Sequence, residues 1–150
     1  KTGLTTNSQD PKQVIKIAGD GLLYQFGVSA GKGSWKDLTA HPHAVVNLLM
    51  LKNGLEQVIK WAMESIKIGA KKILLIGYKG TNPDFIPDKV ELSQAFAFMT
   101  SIRKKFDLDV AADDYIRRKL GLTNACAAGF VRIDVYGKRH KCCFDDCEFS

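Results

Sequence analysis

The chain has 150 residues, enough for one domain with a sizeable buried core. With 45% hydrophobic and 25% charged residues it has the balance of an ordinary globular protein, which argues against a disordered or low-complexity chain. The formal net charge of +6 is spread over several predicted helices without an aromatic-studded basic segment, so no nucleic-acid partner is expected.

No apolar run approaches the roughly 18 residues that a membrane span needs, and no signal peptide is present, so a cytoplasmic protein is expected. Gly3-Leu-Thr-Thr-Asn7 reads as the end of a strand, and its place at the very start suggests that Lys1 lies inside a longer polypeptide. Pro11 suits the first turn of a helix running to Gly19. Leu22 to Val28 reads as the next strand, followed by the small-residue loop Ser29-Ala-Gly-Lys-Gly33, where a backbone or ligand can approach closely. Ser34 is the expected N-cap of a short helix. Neither this loop nor Thr5-Thr6 has the Gly-Lys-Ser/Thr order of a phosphate-binding P-loop.

His43 to Leu51 is almost continuously apolar, as expected of a strand buried on both faces. Asn47 interrupts it, and burying its amide costs a few kcal/mol unless it is hydrogen-bonded or serves a ligand. His41 and His43 flank Pro42, but no nearby cysteine or carboxylate completes a metal set, so they read as loop residues. Leu55 to Ile68 repeats apolar residues at helical spacing and stops at Gly69. Lys72 to Gly77 is another buried strand, and the turn-rich segment Tyr78 to Pro87 has the character of a functional loop. A helix from Glu91 to Phe106, a strand from Leu108 to Ala112 and a short helix from Asp113 to Leu120 complete the alternation. Asp113 and Asp114 can cap that last helix or face a substrate. Strands alternating with helices predict a parallel α/β sheet, either doubly wound or part of an open barrel.

The tail differs. All four cysteines lie in the last 25 residues. Phe130 to Tyr136 alternates as a strand does, Gly137 follows as the turn, and Cys126 and Cys142 stand at the two feet of the resulting hairpin. Clustered thiols in an otherwise cysteine-free chain favour a metal centre of zinc or iron–sulfur type, with Cys126, Cys142, Cys143 and Cys147 as candidate ligands. Disulfide pairing, or free thiols, is the other reading these residues leave open. Cys143 is adjacent to Cys142 and would point to the opposite side of a strand.

The order Leu4-Thr-Thr-Asn7, Gly27-Val-Ser29, Val45-Val-Asn47 with Lys52-Asn-Gly54, and Ile73-Leu-Leu-Ile-Gly-Tyr78 resembles radical S-adenosylmethionine enzymes over nearly the whole chain. Cys126, ten residues, Gly137, four residues, Cys142 is similar to the opening of the SPASM/twitch pattern. The resemblance implies the later part of a partial (β/α)6 TIM-like barrel with parallel strands over residues 1–121, then an iron–sulfur hairpin over 122–150. It implies S-adenosylmethionine as cofactor, held by Ser29, Asn47, Gly77 and Tyr78, and an auxiliary 4Fe–4S cluster on the four cysteines. It also implies radical modification of a small-molecule or peptide substrate, and an electron donor such as ferredoxin or flavodoxin.

The Cys-x3-Cys-x2-Cys loop that holds the cofactor-cleaving cluster in such enzymes is absent, and Ser150 stands where Cys143 and Cys147 would need a third cysteine. The expected partner is therefore the missing N-terminal barrel portion, on the same polypeptide or on a complementary chain. The rival expectation is a non-catalytic, zinc-stabilised α/β binding module.

Overall fold

The computed structural model describes residues 3–123, 132, 133 and 135–140. Five strands, β1 (Gly3–Thr6), β2 (Gln25–Ser29), β3 (Ala44–Met50), β4 (Lys72–Gly77) and β5 (Asp109–Ala112), alternate with five helices: α1 (Pro11–Gly19), α2 (Trp35–Thr39), α3 (Leu55–Ile68), α4 (Lys89–Phe106) and α5 (Asp114–Lys119). The strands form one sheet in the order β1-β2-β3-β4-β5, every pair parallel. The order never reverses, so the sheet lacks the switch point of a doubly wound fold. Right-handed crossovers that always step the same way bring each helix back to the same side.

Burial follows from that topology. Phe26 and Val28 on β2, Ala44, Val46, Leu48 and Met50 on β3, and Ile73 and Leu75 on β4 all point to one face and are buried. They join one core with Val58 and Ala62 of α3, Leu92, Ala95 and Met99 of α4, and Ile116 of α5. Each such side chain contributes about 1.5–3 kcal/mol by leaving water. The intervening residues fare differently: Val45, Asn47, Leu74 and Ile76 are only half-buried, and Leu49 is 43% exposed. The expectation that β3 is buried on both faces is therefore corrected. A nearly continuous apolar run looks the same whether its second face is covered or bare.

Helix ends follow the local chemistry. Asp10 accepts from the Gln13 amide ahead of Pro11. Asp88 and Glu91 form a reciprocal capping box on α4. Gly69 takes the left-handed conformation at φ 106° and returns its N–H to the Ser65 and Ile66 carbonyls. Ser34 occupies the N-cap position of α2, but its hydroxyl makes no capping bond. Leu22 and Tyr24, read above as strand, lie before β2 and are 63% and 52% exposed. Residues 132–140 contain a short antiparallel pair, β6 (Arg132–Ile133) with β7 (Arg139–His140), and Gly137 sits between them at φ 79°. Val135 and Tyr136 belong to that turn, so the strand ends sooner than its alternation suggests.

His41 and His43 form a structural entry to β3. The His43 amide donates to His41 Nδ1 at 3.2 Å, and the His41 ring packs 5.1 Å from Phe26 and 5.4 Å from His43. Burial, and then the neighbouring His43, hold the His41 pKa below the ordinary 6.5. Protonating Nδ1 also removes the acceptor of the His43 amide. The folded pKa is depressed, so this contribution to stability is fully present above about 6.5 and is lost as pH falls towards the lower folded value. Urea midpoints should therefore fall between pH 7.5 and pH 5, with a shallower fall in His41→Phe. An equal pH slope in the variant would show that other groups carry the effect.

Candidate functional site

Among the described residues one face of the sheet carries no helix, and near the carboxyl ends of its strands it bears Ser29 and Asn47. Parallel (β/α) barrels place their sites at those ends of the strands. Ser29 is the last residue of β2 and lies beside Asn47 of β3 in the ladder; the Ala30 amide donates to the Asn47 carbonyl at 3.1 Å. Ser29 and Asn47 are therefore neighbours on the bare face, half-buried, and neither side chain has a hydrogen-bond partner among the described residues. The Asn47 side chain leans over Gly27. A Cβ built on Gly27 would stand 2.6 Å from Asn47 Nδ2 and 3.2 Å from Thr5 Oγ1. One layer down, Thr5, Gly27 and Val45 share that face in register.

Gly77 lies elsewhere. It pairs with Met50 and faces the helix layer, where an added Cβ would run into the Tyr115 ring and stand 3.0 Å from Ile116 Cγ1. Its lack of a side chain serves packing against α5. Tyr78 follows it and stacks edge-on to Phe85 at 5.7 Å. The loop carrying both aromatics is pinned at its far end, where the Lys52 amide donates to the Phe85 carbonyl at 3.1 Å and the Asn53 amide to Glu91 Oε1. Of the four residues nominated for the cofactor, the structure brings together Ser29 and Asn47. The cysteines Cys126, Cys142, Cys143 and Cys147 lie outside the described residues. Among the described ones, no group of three histidine, cysteine, aspartate or glutamate side chains is poised to hold a metal.

Two further features at the carboxyl ends, the burial of Ser8 and the pairing of Asp113 with Lys79, were not foreseen from the sequence. Ser8 is fully buried, adopts φ 60°, and its hydroxyl has no partner among the described residues, while its carbonyl accepts from the Ser34 amide at 3.0 Å. Non-glycine residues in that region are uncommon and tend to cluster where local structure serves function. Lys79 and Asp113, on the loops after β4 and β5, form a 3.0 Å ion pair with side chains only 16% and 13% exposed. Asp113 also accepts from the Ile116 amide at 3.0 Å and so caps α5, which fulfils the capping reading. Neither feature had a sequence signal: serine before a proline-led helix looks like a turn, and Lys79 is one of many lysines.

The class these observations define is an α/β protein with a five-stranded, all-parallel, sequentially ordered sheet whose second face carries no helix among the described residues. No family model, curated protein or solved structure matches the chain. No helix among the described residues is long and apolar enough to cross a membrane.

Proposed function

We propose that the chain is the later part of a radical S-adenosylmethionine enzyme, supplying the barrel strands that hold cofactor and substrate and a cysteine hairpin for an auxiliary 4Fe–4S cluster. One observation carries the reading. An all-parallel sheet in unbroken strand order leaves bare the wall that a closing barrel would turn inward, and on that wall Ser29 and Asn47 stand side by side unpaired. Edge strands β1 and β5 leave both sides of the sheet available to further barrel strands. The residues fit a cofactor rich in hydroxyl and amine groups: Asn47 offers a donor pair and an acceptor, Ser29 a hydroxyl.

In such an enzyme the cofactor and cluster supply the radical chemistry, and the protein binds, orients and excludes water. Here Asn47 and Ser29 would anchor the cofactor on the sheet wall. Half-buried Val45, Leu74 and Ile76 would keep water from its apolar side. The tail supports the cluster by its donor chemistry, since soft thiolates spaced around Gly137 suit iron–sulfur binding. The substrate class in this reading is a small molecule or peptide, and the electron donor a ferredoxin or flavodoxin.

Anaerobic reconstitution of the full chain with iron and sulfide tests the cluster. A brown protein with broad visible absorption and stoichiometric sulfide is expected. A colourless protein that retains one zinc would instead establish the zinc-stapled binding module. Asn47→Ala should weaken S-adenosylmethionine binding roughly tenfold in equilibrium dialysis, the worth of one or two neutral hydrogen bonds. Iron content should not change. Unaltered binding would remove Asn47 from the cofactor wall.

A further inference from the structure

The hollow over Gly27 is a more specific feature than the wall around it. Its lining includes Thr5, Gln25, Val45, Asn47, Leu74 and Ile76 around Gly27. Three observations bear on what it takes. First, the Asn47 amide occupies the room that Gly27 leaves by having no side chain, and Thr5 Oγ1 approaches the same point, so the two polar groups converge from β3 and β1 above β2. Second, neither group has a hydrogen-bond partner among the described residues. Third, the lining carries no charge; Lys72 and Asp109, adjacent in register on β4 and β5, are opposite in sign.

We propose that this hollow is a binding site for an uncharged carboxamide, with its polar edge against Asn47 Nδ2 and Thr5 Oγ1 and its aliphatic part on Val45, Leu74 and Ile76. The ligand's carbonyl oxygen accepts from Asn47 Nδ2, and its N–H donates to Thr5 Oγ1. A flat group can lie along the sheet against the Asn47 amide and the Thr5 hydroxyl. The two-atom edge of an amide meets the two protein groups separately, whereas a hydroxyl must reach both from one oxygen. A carboxylate of the same shape has no N–H for Thr5 and no counter-ion in the hollow, and stripping its water without a partner is costly. The site therefore discriminates by charge rather than by size.

This inference rests on the bare face being a ligand wall, and not on which cofactor that wall holds. Isobutyramide and isobutyrate, which match in shape and differ in charge, are the probes. They are titrated into the uniformly 15N-labelled full chain while the Gly27 backbone amide and the Asn47 side-chain amide are followed by NMR. Isobutyramide should move both signals saturably, and isobutyrate should leave them in place over the same concentrations. Thr5→Val should weaken the isobutyramide response roughly fivefold, one neutral hydrogen bond's worth. Gly27→Ala should abolish it, and if that variant does not fold the Thr5→Val titration alone decides. Equal responses to the two probes, no response to isobutyramide, or an undiminished response in Thr5→Val would each overturn the site. Loss of the S-adenosylmethionine result with the isobutyramide result intact would fault the enzyme reading alone, and the converse would fault the hollow alone.

Discussion

Gly33→Ala should destabilise the fold by about 3 kcal/mol. Gly33 has φ 49°, and a Cβ there would stand 2.6 Å from the Asn7 carbonyl oxygen, 2.7 Å from that of Ser8 and 2.9 Å from the Ser8 carbonyl carbon. All three are backbone atoms, which cannot swing aside as a side-chain tip does. The close approach fastens the loop after β2 onto the turn after β1, and the Ser34 amide bond to the Ser8 carbonyl completes the fastening. Gly21 is the control: its φ is 72°, yet nothing lies within 4 Å of its added Cβ. Gly21→Ala should cost only the left-handed backbone term, about 1 kcal/mol. Urea unfolding of the two variants measures the difference. Equal costs would mean that the two loops separate readily and that Ser8 is not held in its strained, buried position by Gly33.

The parts of this fold that can be read from the chain are those whose cause is local. Helix α3 begins and ends where Leu55, Val58, Ala62 and Gly69 place it, because apolar spacing and a left-handed stop act within a few residues. Strand β4 is legible as Lys72–Gly77 for the same reason. The segment Leu22 to Tyr24 misleads, since apolar residues in a connection look like strand until the ladder shows pairing beginning at Gln25. The bare face is hidden more deeply. Leu49 and Leu48 are the same residue type side by side, and only the single-sided path of the helices decides which one meets solvent. Asn47 was conspicuous because an amide in an apolar run is anomalous by itself. Thr5 and Gly27 were not, because their meeting with Asn47 depends on register across three strands.

Asp113 joins two roles that can be separated by experiment, and its removal should cost about 3–4 kcal/mol. One carboxylate oxygen accepts from the Ile116 amide, a cap worth about 1 kcal/mol. The other pairs with Lys79 at 3.0 Å, with little of either side chain exposed. Removing one member of such a pair leaves the other charge in a poorly solvated place, at a cost of about 3 kcal/mol. Asp113→Ala loses both interactions. Asp113→Asn keeps a good capping acceptor and loses only the charge, so it should recover about 1 kcal/mol relative to alanine. Adding Lys79→Met to Asp113→Asn removes the other charge of the pair and should restore stability further, giving a coupling energy well above zero in the double-mutant cycle. Strict additivity would mean that water already screens the pair. A large coupling would mean that the loops after β4 and β5 are tied together electrostatically. The carboxyl-terminal rim of the sheet is then rigid on this side as well as at Gly33, and the open face between them can hold a ligand without first having to be ordered.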